Sequence, residues 1–125
     1  MYKEVLLITN NPMVNNFLKQ LVFKFIIGNT MSVYREARDM IHKNHVLLTH
    51  PLFSSLKPNE TPYRTVAISL EPREVLDMDS LMYIERAIEV TQKFLNMKYI
   101  RNYSEKLLDD FQIIDFSIIE DAIKK

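Results

Sequence analysis

Apolar residues come along this chain in two alternating rhythms. Val5-Leu6-Leu7-Ile8 is an unbroken aliphatic run, the form of a strand covered on both faces of a sheet. It stops at Thr9-Asn10-Asn11-Pro12, where Asn11 is a good helix cap and Pro12 loses nothing at the first helical position, its missing N–H being unpaired there anyway. Val14, Phe17, Leu18 and Leu21 then fall on one helical stripe, before Phe23-Lys24-Phe25-Ile26-Ile27 returns to strand-like residues and ends at Gly28. The alternation repeats with Thr30 or Ser32 as cap, a second stripe of Val33, Ala37, Met40 and Ile41, and Asn44 suited to a left-handed closing position. Val46-Leu47-Leu48-Thr49 reads as a third buried strand, residues 50–64 as a loop, and Thr65 to Leu70 as a fourth strand.

Downstream, Leu81, Ile84, Ala87, Ile88, Thr91, Phe94 and Leu95 mark one face of a long helix from about Asp79 to Met97, with Asp77 and Asp79 near its positive start. Ser104 can cap a short helix through Leu107, Leu108 and Phe111. Ser117-Ile118-Ile119-Glu120 has the spacing of a capping box for a last helix, with Gln112 to Phe116 ambiguous between them. The expectation is therefore the α/β class: one three-layer domain over residues 1–125, a mainly parallel sheet of about four strands, helices on both faces and a helical C-terminus. The fourth strand could instead pair antiparallel at an edge.

Composition narrows the chemistry. A chain of 125 residues can bury one core without staples. With Lys plus Arg at 16 and Asp plus Glu at 16, no net charge draws it to nucleic acid or anionic lipid. It has no cysteine, which excludes thiol nucleophiles, thiolate zinc and iron–sulfur centres, and its single glycine excludes Walker and GxGxxG loops. The first residues carry acid and base before a short apolar run, far from a signal peptide or membrane span, so a cytoplasmic protein is expected.

Ligands of an open parallel sheet bind beyond the carboxyl ends of its strands, which here are Thr9-Asn10-Asn11 and Thr49-His50. The long loop that follows holds Pro51, Pro58 and Pro62, each of which lowers the entropy cost of one ordered arrangement. The candidate ligand-binding set is thus Thr9, Asn10, Asn11, His50, Lys57, Asn59, Glu60, Thr61 and Tyr63, with the ring of Tyr63 folded inward and its hydroxyl paired. Plainer readings stand beside it: Asn11 as a helix cap only, and Asn59-Glu60-Thr61-Pro62 as an Asx turn that satisfies loop amides. Ser54-Ser55-Leu56-Lys57 has the SxxK spacing of serine enzymes, but Pro58 spoils the helix that motif needs. No metal site is expected: His45 and His50 flank a strand and stand roughly 16 Å apart at strand rise, and His42 and His45 read as a solvated helix end.

Thr9-Asn10-Asn11-Pro12, followed by His42-Lys43-Asn44-His45-Val46-Leu47-Leu48-Thr49-His50-Pro51-Leu52 and Lys57-Pro58-Asn59-Glu60-Thr61-Pro62-Tyr63, resembles the GrdX family. These are small proteins encoded with the glycine, sarcosine and betaine reductase systems of anaerobic amino-acid fermenters. The likeness is strongest from about Ala37 to Thr65, and the family favours glycine where this chain has Asn44 and Ser54. The resemblance implies a cytoplasmic accessory role beside a selenoprotein reductase and assigns no catalytic residue and no cofactor.

Three functions follow as expectations. The first is a non-catalytic accessory or small-ligand-binding protein of the reductase system, with a small anion as a candidate ligand. The second is a small enzyme, with His50 as general acid or base, Lys57 steadying developing negative charge and Thr9 to Asn11 holding an anionic group. The third is a docking protein for a reductase component. Phe111, Ile114, Ile118 and Ile119 are candidates either for a homodimer face or for the last part of the core.

Overall fold

The computed structural model describes residues 4–18, 20–52, 61–96 and 103–124, with Phe17 described by its backbone only. The chain runs β1 (Val5–Thr9), α1 (Pro12–Phe17), β2 (Val22–Phe25), α2 (Thr30–His42), β3 (Thr65–Ser69), α3 (Met78–Leu95) and α4 (Glu105–Ile123). β1 lies in the centre of the sheet order β2-β1-β3, parallel to β2 and antiparallel to β3. All of its residues are buried, as the unbroken aliphatic run requires. Leu6 and Ile8 join Val66 and Ile68 against Val33, Tyr34, Ala37 and Ile41 of α2 and Ile84 and Ala87 of α3. Val5 and Leu7 turn to the other face, with Ala67, Val14 of α1 and Ile119 and Ile123 of α4. Helices thus cover both faces, and the alternation of side chains along β1 decides which residues meet which pair.

The sheet differs from expectation in two respects: it has three strands, and it is mixed. Val46-Leu47-Leu48-Thr49 runs beside β3 but makes only the bridge Leu47–Ile68. Its backbone exchanges two bonds with β3, Leu48 N–H to Ala67 O and Ser69 N–H to Val46 O. The other partners are hydroxyls: Val46 N–H donates to Ser69 Oγ, Leu47 N–H to Ser80 Oγ, and Ala67 N–H to Thr49 Oγ1. Side chains replace ladder bonds, the segment never becomes a regular strand, and Leu48 stays 47% exposed.

Local signals account for most helix ends. Asn11 accepts from Met13 N–H, Asn29 from Ser32 N–H, Asp77 from Ser80 N–H and Ser104 from Leu107 N–H. The cap of α2 is Asn29, one residue before the expected Thr30, and Asn44 takes the left-handed φ of 76° after it. α1 stops at Phe17 although Leu18 and Leu21 continue the stripe; both are buried, reaching the α4 side from outside the helix. The expected break before Ser117 is absent. α4 is one helix whose buried positions are Phe111, Asp115, Ile119 and Ile123, so Phe111 and Ile119 finish the core. His45 is also corrected: it is buried, and its Nδ1 lies 2.7 Å from Ser69 O.

Candidate ligand-binding site

The carboxyl end of β1 is tied together by side chains. Asn10 donates from Nδ2 to Gly28 O (3.0 Å) and Pro62 O (2.8 Å), and its Oδ1 accepts from Arg64 N–H (2.9 Å). One amide therefore fixes the end of the long loop against the turn after β2 and delivers the chain into β3. Thr61 Oγ1 accepts from Tyr63 N–H at 3.2 Å, a local turn that does the same work. Tyr63 is half-buried, and its hydroxyl accepts from Gln112 Nε2 at 3.1 Å.

Directly beneath lies a directed hydrogen-bond chain. Thr65 Oγ1 donates to Asp115 Oδ2 at 2.7 Å, so the 2.6 Å contact between Thr9 and Thr65 must be Thr9 donating to Thr65. Thr9 Oγ1 in turn accepts from Asn11 N–H at 3.0 Å. Asn11 closes the ring, giving its Nδ2 protons to Asp115 Oδ2 and Gln112 O, both at 3.0 Å. Asp115, in a core position of α4, carries a carboxyl whose pKa burial pushes above the usual range, against the opposing pull of the Thr65 and Asn11 hydrogen bonds and the Arg64 charge.

Arg64 is only 4% exposed, and neither Nε nor Nη2 has a hydrogen-bond partner. None of the ion pairs among the described residues involves it. Two buried guanidinium nitrogens left this way are costly, because they have given up water without a hydrogen-bond acceptor in exchange. It stands in the wall of a cavity of about 310 Å³ together with Thr65, two acids, Asp115 and Asp121, and Thr49, His50 and Pro51, with Leu48, Ile118, Ile119 and Ala122 adding apolar surface. The 50–52 turn is held on that wall by Tyr34, whose buried hydroxyl donates to Pro51 O at 2.6 Å; burial raises its pKa to about 12 and keeps it neutral. His50 is exposed at the rim, its Nδ1 accepting from Leu52 N–H at 3.1 Å and its ring 5.5 Å from Tyr83.

Among the described residues of the candidate set from the sequence, only His50 lines this cavity. Thr9 and Asn11 reach it through Thr65 and Asp115, and Asn10, Thr61 and Tyr63 shape the chain beside it. Lys57, Asn59 and Glu60 lie outside the described residues, as do Ser54 and Ser55. Sequence reasoning missed Arg64, Thr65 and Asp115. For Asp115 a signal existed: read as one helix, 105–123 puts an acid on the stripe between Phe111 and Ile119. Among the described residues no cluster of three histidines or acids could hold a metal ion, and no helix is long and apolar enough to cross a membrane.

The model of the GrdX-like protein family matches residues 6–124. The chain belongs to the GrdX family. The match spans α4 and hence Asp115, well beyond the 37–65 stretch in which the resemblance was strongest. No curated protein and no solved structure matches this GrdX-family chain.

Proposed function

We propose that this protein is a cytoplasmic, non-catalytic accessory of a glycine, sarcosine or betaine reductase system that binds a small anionic metabolite in the Arg64 cavity. Family membership suggests the reductase context. The observation that carries the ligand is Arg64, a buried cation at a cavity wall with Nε and Nη2 unsatisfied. A carboxylate or phosphate in the cavity brings a complementary charge to the Arg64 side of the wall, and charge-assisted contacts of this kind are the strong ones. Thr49 and His50 line the same wall and add polar groups to it. Among the described residues no hydrogen bond pairs a nucleophile with a base at this wall, which favours binding without turnover over an enzyme using His50.

A thermal-shift screen against acetate, isovalerate, phosphate and acetyl phosphate tests this. A ligand at 100 times its Kd adds about 2.7 kcal/mol of stability, a shift of several degrees in a domain of this size. Arg64→Gln should abolish the shift while leaving the protein folded. A screen in which no anion raises the melting temperature removes the reading. Docking to a reductase component is a second reading, favoured by the outer edge of the sheet, where Val22 is 51% and Ile27 96% exposed. Co-purification with the reductase proteins and no response to anions would select it.

A further inference from the structure

Arg64 does not line its cavity alone. Asp115 stands in the same wall, 7% exposed against 4% for Arg64, so the two groups influence each other where both are removed from water. The Asp115 carboxyl takes hydrogen bonds from the Thr65 hydroxyl at 2.7 Å, from Asn11 Nδ2 at 3.0 Å and from the Thr65 backbone. Through them it ties α4 to the end of β1 and the start of β3. A carboxyl that holds a proton still has an oxygen to accept from Thr65 and Asn11, so Asp115 can change charge without breaking those ties.

From this arrangement we propose that anion binding in the cavity is proton-coupled: a carboxylate or phosphate that enters is accompanied by a proton taken up from solvent on Asp115, and the site loosens as pH rises. The reasoning is a count of charges. Among the described residues, Arg64 is the one permanent cation in the lining. In the free protein its charge draws on the Asp115 carboxylate and opposes the burial that pushes the carboxyl toward its neutral form. A bound anion competes for the same guanidinium and adds a repulsion of its own, and both changes favour the proton. The other groups around Asp115 are placed differently. Tyr34 of α2 is kept neutral by its pKa of about 12, and Tyr63 reaches α4 only at Gln112. β1, α1 and β3 carry no charged side chain. His50 and Asp121 also line the cavity, but both are exposed, where water and salt screen their charges.

The inference rests on the anion-binding function proposed above, and one titration separates the two. Calorimetry of the full chain with isovalerate, in two buffers of different ionisation heat at each pH from about 5 to about 8, gives both the affinity and the protons taken up. Affinity should fall by up to about tenfold per pH unit through one interval and level off beyond it, with proton uptake confined to that interval. Asp115→Asn should bind isovalerate without this uptake; the ionisation of the free probe is common to both proteins and cancels. A second reading needs no loss of Asp115 and does not respond to histidine. Within the interval, saturating the unaltered protein with isovalerate isotopically labelled at its carboxyl carbon should raise the infrared band of a protonated protein carboxyl, displaced from the probe's own. Asp121→Asn should keep that band. Binding with neither uptake nor a new band overturns the coupling and leaves the anion site standing, as does uptake that persists in Asp115→Asn or a band lost in Asp121→Asn. No binding of isovalerate at any pH overturns both. Should Asp115→Asn fail to fold, the infrared measurement on the unaltered protein and on Asp121→Asn decides the matter.

Discussion

Asp115 occupies a core position, and Asp115→Asn separates the cost of its charge from the value of its hydrogen bonds. The substituted amide keeps an oxygen that can accept from Thr65 and Asn11, as Oδ2 does now at 2.7 and 3.0 Å. What it loses is the ability to ionise. Burial raises the native pKa of Asp115 above its ordinary value of 3.8, and the unfolded chain restores that ordinary value. Below the ordinary range both states are protonated, and the carboxyl costs nothing for its charge. Between the ordinary and the raised value the native state holds a proton that the unfolded state has released, so stability falls as pH rises; above the raised value the loss is complete. One proton's difference sets the slope at up to about 1.4 kcal/mol per pH unit. The amide's own cost is independent of pH and shifts only the offset. Urea denaturation of both proteins, followed by far-UV circular dichroism from about pH 4 to about pH 8, reads the difference directly, because all other carboxylates cancel between them. The unaltered protein should lose stability relative to Asp115→Asn as pH rises and then level off. A difference that grows in favour of the unaltered protein would mean that the pull of Arg64 outweighs burial, and would refute the reasoning.

Two further perturbations test the frame around the cavity. Tyr34→Phe removes the 2.6 Å bond to Pro51 O and leaves that carbonyl unpaired, a loss of about 1–3 kcal/mol by chemical denaturation. An ultraviolet titration of the folded protein should show one late tyrosine, near pH 12, missing from the variant. Gly28→Ala places a Cβ 2.5 Å from Ser32 Oγ and 2.8 Å from Ser32 Cβ; the hydroxyl can rotate away but the Cβ is fixed to α2, so a loss of about 1–3 kcal/mol is expected, read as a lower melting temperature.

The parts of this fold that could be read from the sequence are those settled by short-range chemistry. Asn11 with Pro12, Asn44, Asp77 and Ser104 act within one turn of where they stand, and their caps and closing turn are found in place. What was misread depends on distant partners. An aliphatic run such as Val46-Leu47-Leu48-Thr49 has the composition of a buried strand whether its amides meet a backbone ladder or the hydroxyls of Ser69 and Ser80, residues that come later in the chain. The parallel sheet failed for a similar reason: β3 returns after a loop rather than a helical crossover, and the pattern of Thr65 to Ser69 is the same in either direction. The strand-end rule brought attention to Thr9 and His50; His50 lines the cavity, and Thr9 bonds to Thr65 in its wall. Its polar centre escaped because Arg64 resembles one more loop cation, and Asp115 becomes conspicuous only once α4 is seen to be continuous.

The account turns on what meets Arg64. The most direct measurement is a crystal structure of the protein soaked with isovalerate and, separately, with phosphate. At least one of them should lie with its anionic group toward Arg64, inside the cavity lined by Thr65, Asp115 and Pro51. A cavity empty of both molecules at saturating concentration would contradict it.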